Sequence, residues 1–210
     1  MFTTTFKNWP DARIAQPFVK LARCARGMAA VEFGLIVPLL MVFWLGTNEM
    51  GQALMLDRRV TLTASTVADL VAQNATLTEA QVDEMLAVSD DLMQPALMSL
   101  YDSNVFKLTI INVTKDSDDN LSVVWAREKD GHGGRQSTEY PVGPINESQI
   151  GGGFDKDIVL PSSQQIIAKA EYTFTPAVSH TIKKDFGGSL KLEETFFLAP
   201  RMGSVALTPN

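Results

Sequence analysis

Residues 28–47 read MAAVEFGLIVPLLMVFWLGT, twenty residues whose one charge, Glu32, sits near the start. At about 1.5 Å per residue such a run makes roughly 30 Å of helix, the thickness of a bilayer's hydrocarbon core. A buried core helix of a water-soluble protein is the plain alternative, but it leaves the basic residues massed beside the run unexplained. Residues 1–27 hold Lys7, Arg13, Lys20, Arg23 and Arg26 against Asp11 alone, a net of +4. Subtracting this from the −6 of the whole chain leaves −10 for residues 28–210. Two parts charged so differently are expected to face different environments.

Basic residues close to one end of a span favour leaving that end in the cytoplasm. The expected organisation is a basic cytoplasmic leader over 1–27, a transmembrane helix over 28–49 and an extracytoplasmic α+β domain over 50–210. Arg58 and Arg59 follow the span, but they are two against five and Asp57 lies beside them. Trp44 falls towards the outer end, where an amphipathic ring suits the interface. Pro38 removes one backbone donor and is expected to bend the helix. The main rival is a cleaved secretory signal, which also joins basic residues to an apolar run and a small-residue site. Against it stand the length of the basic stretch and the poor small-x-small site offered by TNEMGQALML after Gly46.

The most specific string is Arg26-Gly27-Met28-Ala29-Ala30-Val31-Glu32-Phe33. Basic residues, Gly, four small or apolar residues and then Glu-Phe at the head of an apolar helix resemble the prepilin-peptidase junction of type IV pilin-like proteins. The longer string GMAAVEFGLIVPLLMVFWLGTNEMGQALML is similar to the TadE family of pseudopilins, minor components of the tight-adherence (Tad/Flp) pilus machinery. AEYTFTPAVS and ETFFLAPR resemble the closing strands of such proteins more faintly. The resemblance implies cleavage after Gly27, Met28 as the new N-terminus, and Glu32 with Phe33 as the residues that dock a neighbouring subunit. It implies a bacterial inner-membrane protein with a periplasmic domain, possible incorporation in a pilus, and as partners the prepilin peptidase, other pilins or pseudopilins and the pilus assembly platform.

Physical chemistry bears on Glu32 independently. A charged side chain at the centre of a membrane helix costs about 2.5–3.5 kcal/mol, less near the interface. A neighbouring subunit's free α-amine, about 4 Å away at an effective dielectric near 20, would attract it by about 4 kcal/mol before desolvation. The plainer alternative is a glutamate at headgroup level, helped by the positive end of its own helix.

Beyond the span, Ala53, Leu56, Val60, Ala64, Val67 and Val71 recur at steps of three and four, so one helix is expected from about 29 to 73 with this stripe against the domain. Asp57, Arg58 and Asp69 would face water or partners. Thr78 with Gln81 fits a capping box, and Val82, Met85, Leu86, Met93, Leu97 and Leu100 trace a second helix whose methionines read as core. After Tyr101 the period becomes two. Phe106, Leu108 and Ile110, then Leu121, Val123 and Trp125, form a hairpin across KDSDDN. Ile166, Ala168, Ala170, Tyr172 and Phe174, then Leu190, Leu192, Phe196 and Leu198, add two strands. An antiparallel sheet of about four strands packed on the long helix is the expected fold, with residues 128–161 as a long surface loop and a place for partner contacts.

Catalytic chemistry is not indicated. The acidic domain lacks the clustered Lys and Arg of a nucleic-acid groove. Cys24, the one cysteine, lies in the leader, so the domain can form no internal disulfide. His132 and His180 have no metal-ligand spacing, and Gly131–Gly134 and Gly151–Gly153 lack the Lys-Ser/Thr of a phosphate loop. Asp116, Asp118 and Asp119 lack the glycine and distal glutamate of a calcium loop and suit a hairpin turn. The expectation is a non-enzymatic assembly component with no cofactor and no metal. A membrane-tethered ligand-binding or sensor module is the alternative, and an anchored hydrolase would need a nucleophile-base pair that the chain does not offer.

Overall fold

The computed structural model of the chain describes residues 25–94, 106–130, 134–176 and 189–209. Cys24, Leu97, Leu100, His132, His180 and the leader's Lys7, Asp11, Arg13, Lys20 and Arg23 lie outside them. The chain divides into two compact units at Glu49/Met50.

The first helix, α1, spans Ala25–Ala72, 48 residues that include Pro38 without interruption. Strand β1 (Thr76–Thr78) leads into helix α2 (Glu79–Met93). The α2 start is the expected capping box: Thr78 Oγ1 accepts from the Gln81 amide at 3.2 Å, and the Gln81 side chain accepts from the Thr78 amide at 2.8 Å. In the second unit the three-and-four stripe behaves as its spacing requires. Leu56, Val60, Ala64, Val67 and Val71 are fully buried, with Ala53 packed at the edge of the cluster. Burying each Val or Leu contributes about 1.5–3 kcal/mol. Val82, Leu86 and Met93 of α2 enter the same cluster, and Met85 packs against it.

Four long strands appear where the period-two pattern put them: β2 (Phe106–Lys115), β3 (Leu121–Lys129), then, after the short strands β4 (Gly134–Gln136) and β5 (Gly143–Pro144), β6 (Gln164–Phe174) and β7 (Leu190–Leu198). The short strands bring the sheet to six, in the order β4-β3-β2-β6-β7 with β5 also paired to β3. A separate parallel pair joins β1 to β8 (Ala206–Thr208). Phe106, Leu108, Ile110, Ile166, Ala168, Ala170, Tyr172 and Phe174 belong to the same cluster as the buried residues of α1 and α2.

Two expectations need correcting. Leu121, Val123 and Trp125 do not share a face. Asn112 pairs with Trp125 while Val113 pairs with Val123, so Val124 is an extra residue in β3. This bulge inverts the alternation: Leu121 and Val123 enter a second cluster, and Trp125 turns to the helical core. There its indole Nε1 donates to Val205 O at 2.9 Å, tying β3 to the chain just before β8.

Nor is 128–161 a bare surface loop. After the end of β3 and the two short strands it forms a one-turn helix, α3 (Glu147–Ile150), and a 3-10 turn, Lys156–Ile158. Tyr140, Ile150, Phe154 and Val159 pack with Ile111, Val113, Leu121, Val123 and Ile167 in the second cluster. The sheet is thus buried on both faces. The four anchoring residues have no helix or strand period because each is delivered by its own turn, so a periodicity search passes over them.

Candidate docking helix and processing junction

Gly27, Met28, Glu32 and Phe33 all lie on α1, so the Gly27–Met28 peptide bond sits two residues inside the helix start at Ala25. Glycine inside a helix costs about 1 kcal/mol relative to alanine, so this first turn is held less firmly than alanine would hold it. Met28 and Glu32 are four residues apart and share one face a turn apart. Glu32 is exposed, as are Met28 (61%) and Phe33 (67%).

The helix that follows is apolar on every side. Leu35, Leu39, Leu40, Met41, Val42, Phe43 and Trp44 are all more than half exposed. Among the described residues, none of the apolar window that is long enough to cross a membrane is buried. A core helix of a water-soluble protein would bury such residues, so this one needs a lipid or protein environment from outside. The glycines agree with that need. A Cβ placed on Gly34, Gly46 or Gly51 would meet nothing within 4 Å, so no contact among the described residues calls for glycine there. In membrane helices small residues let a second backbone approach closely.

In the second unit several charged side chains pair across elements. Arg127 grips Asp83 with Nε at 2.9 Å and Nη2 at 2.5 Å, and holds Glu79 through Nη1 at 3.0 Å, fastening α2 to the sheet. Lys129 does the same with Asp90 at 2.6 Å. Asp69, expected to face water or partners, pairs with Arg201 at 2.6 Å, and this bond holds its carboxyl below the usual range.

Lys169 is the centre of a network on the second sheet face, with Glu171 at 3.0 Å, Glu193 at 3.3 Å and the Tyr140 hydroxyl at 3.4 Å. Burial would lower its pKa, but Glu171 and Tyr140 outweigh that and raise it. Glu139 bonds Lys107 at 2.5 Å; burial pushes its carboxyl up, and the Lys107 bond prevails and holds it down. Sequence reasoning missed this network, though Lys169/Glu171 and Lys191/Glu193 alternate at period two on strands that pair.

The KDSDDN turn is built by its own aspartates. Asp116 accepts from the amides of Asp118 and Asn120 at 2.9 and 2.8 Å, and Asp119, at φ 68°, pairs with Lys115 at 2.6 Å and Lys156 at 2.5 Å. Protein donors therefore occupy two of the carboxylates a cation would need. Among the described residues no group of three or more His, Cys, Asp or Glu is placed to hold a metal.

These features define an α+β protein with, among the described residues, one N-terminal helix long and apolar enough to cross a membrane, which suggests single-pass anchoring. Residues 27–69 match the family described as TadE-like protein, so the chain carries a TadE-like segment that begins at Gly27 itself. Such a segment suggests a component associated with the Tad pilus. No curated protein and no solved structure matches the chain.

Proposed function

We propose that this chain is a minor pseudopilin of a Tad/Flp-type pilus, processed by a prepilin peptidase after Gly27 and docked to neighbouring subunits through α1. What supports this most is the coincidence of the TadE-like match, from residue 27 to 69, with a helix whose apolar side chains from Met28 to Leu45 are nearly all exposed among the described residues. Residues 1–27 remain cytoplasmic, 28–49 cross the bacterial inner membrane, and 50–210 face the periplasm. Other pilins or pseudopilins and the assembly platform are the partners.

The chemistry follows from the register. Cleavage at Gly27–Met28 frees an α-amine and leaves Glu32 as the fifth residue of the mature chain. In a low-dielectric surrounding that carboxylate gains most from a cation on an adjacent helix, and a neighbour's amine is such a cation. The pair sets the axial stagger between subunits, while Gly34 and Gly46 allow close approach.

Two measurements test this. Mass spectrometry of the membrane-extracted protein should find a chain starting at Met28, and mature material that retains residues 1–27 overturns the processing. Glu32→Gln should still be cleaved but should lose co-purification with the other pilus components. Unchanged assembly in that variant would assign Glu32 to the headgroup region instead.

A further inference from the structure

Asparagine followed two residues later by serine or threonine is the acceptor tripeptide for N-linked sugars on exported proteins. Of the eight asparagines, four open such a tripeptide: Asn74-Ala75-Thr76, Asn112-Val113-Thr114, Asn120-Leu121-Ser122 and Asn146-Glu147-Ser148. Serine and threonine make up 30 of the 210 residues, so chance would supply about one. All four fall after residue 50.

The fold sorts them by whether the amide nitrogen and the hydroxyl can be reached. Asn112 is fully buried in β2, its Nδ2 donating to Gln164 Oε1 and Val205 O, each at 2.9 Å. Asn74 is half-buried, and its Nδ2 donates to Leu70 O at 2.8 Å beside the end of α1. Asn120 is exposed, but its Nδ2 is held by Asp116 at 3.1 Å and Ser122 is paired with both Thr114 and Pro144. Asn146 alone of the four combines an exposed asparagine and an exposed hydroxyl residue with an Nδ2 that no described residue holds. Its side chain and that of Ser148 are exposed, and its backbone is extended at φ −103°, ψ 153°. No described residue accepts a hydrogen bond from its Nδ2; its own amide N–H donates to Gln149 Oε1 at 2.9 Å, which fixes the local chain. Beside it opens a cleft of about 390 Å³, lined in part by Asn120, Ile145, Ser148 and Lys156, with room for a first sugar.

We propose that Asn146 is an N-glycan acceptor. The proposal rests on the extracytoplasmic placement of residues 50–210, where lipid-linked sugar donors are used. In the transfer, Asn146 Nδ2 attacks the anomeric carbon of an oligosaccharide carried on a lipid diphosphate. The N–C bond forms as the C–O bond to the diphosphate breaks, the lipid diphosphate leaves with the electron pair, and the amide proton passes to a base of a membrane transferase.

The test uses the full chain extracted from the membranes of its own cells. Trypsin cleavage after Arg135 and Lys156 releases residues 136–156, in which Asn146 is the one asparagine. Fragmentation should place hexose and hexosamine masses on Asn146. They should vanish in Asn146→Gln and Ser148→Ala and persist in Ser148→Thr. A peptide found only at its unmodified mass, or carrying sugar only on a serine or threonine, overturns the proposal. Protease added outside intact spheroplasts separates this from orientation. A digested domain with an unmodified peptide overturns the glycan alone, and a protected domain overturns the outside placement and the glycan with it.

Discussion

At the scale of single residues, the glycines divide into two kinds that the sequence alone presents alike. Gly152 has φ +62°, and a Cβ there would stand 2.3 Å from Thr195 Oγ1 on β7, so glycine is the residue that lets this segment close on the sheet. Gly152→Ala should destabilise the domain by about 1–3 kcal/mol through left-handed strain and steric clash, seen as a lower melting temperature. Gly34 lies in open space, and among the described residues nothing attaches such a penalty to it. The register of Gly27, Met28 and Glu32 is legible in the sequence itself, because it is a spacing along one helix. The role of Gly152 is not, because it depends on a residue 43 positions away in sequence.

At the scale of elements, α2 illustrates what local signals can and cannot carry. Its N-terminus is readable from Thr78 and Gln81, which satisfy each other's backbone donors within four residues. Thr78→Ala should therefore cost about 1 kcal/mol, measured by chemical denaturation, with the helix otherwise retained. The attachment of α2 to the sheet is not readable in that way. It depends on Arg127 reaching Asp83 and Glu79, residues 44 and 48 positions away, once β3 has taken its place. The bulge at Val124 is a similar case. The alternation of Leu121, Val123 and Trp125 in sequence is regular, and only pairing with Asn112 and Val113 reveals the inserted residue that turns Trp125 to the opposite face.

At the scale of the whole molecule, acid should loosen the second unit. Glu193 is held below the usual range by Lys191, Asp119 by Lys115 and Lys156, and Glu139 by Lys107 against the effect of burial. A depressed carboxylate contributes stability fully above its unfolded value, about 4, and that contribution is lost as pH falls through the lower folded value. The melting temperature of the detergent-solubilised chain should thus fall between about pH 5 and pH 2, and Glu139→Gln should flatten part of that fall. By itself the sequence determined the apolar helix, the three-and-four stripe and the four long strands. Each of these is a periodic or short-range pattern, and hydrophobic burial acts on it directly. Tertiary structure alone decided that residues 137–161 cover the second sheet face, that Trp125 changes sides, and that Asn146 stands clear while Asn112 is buried. Those outcomes depend on which distant segments meet, and no local period records a contact made across the sheet.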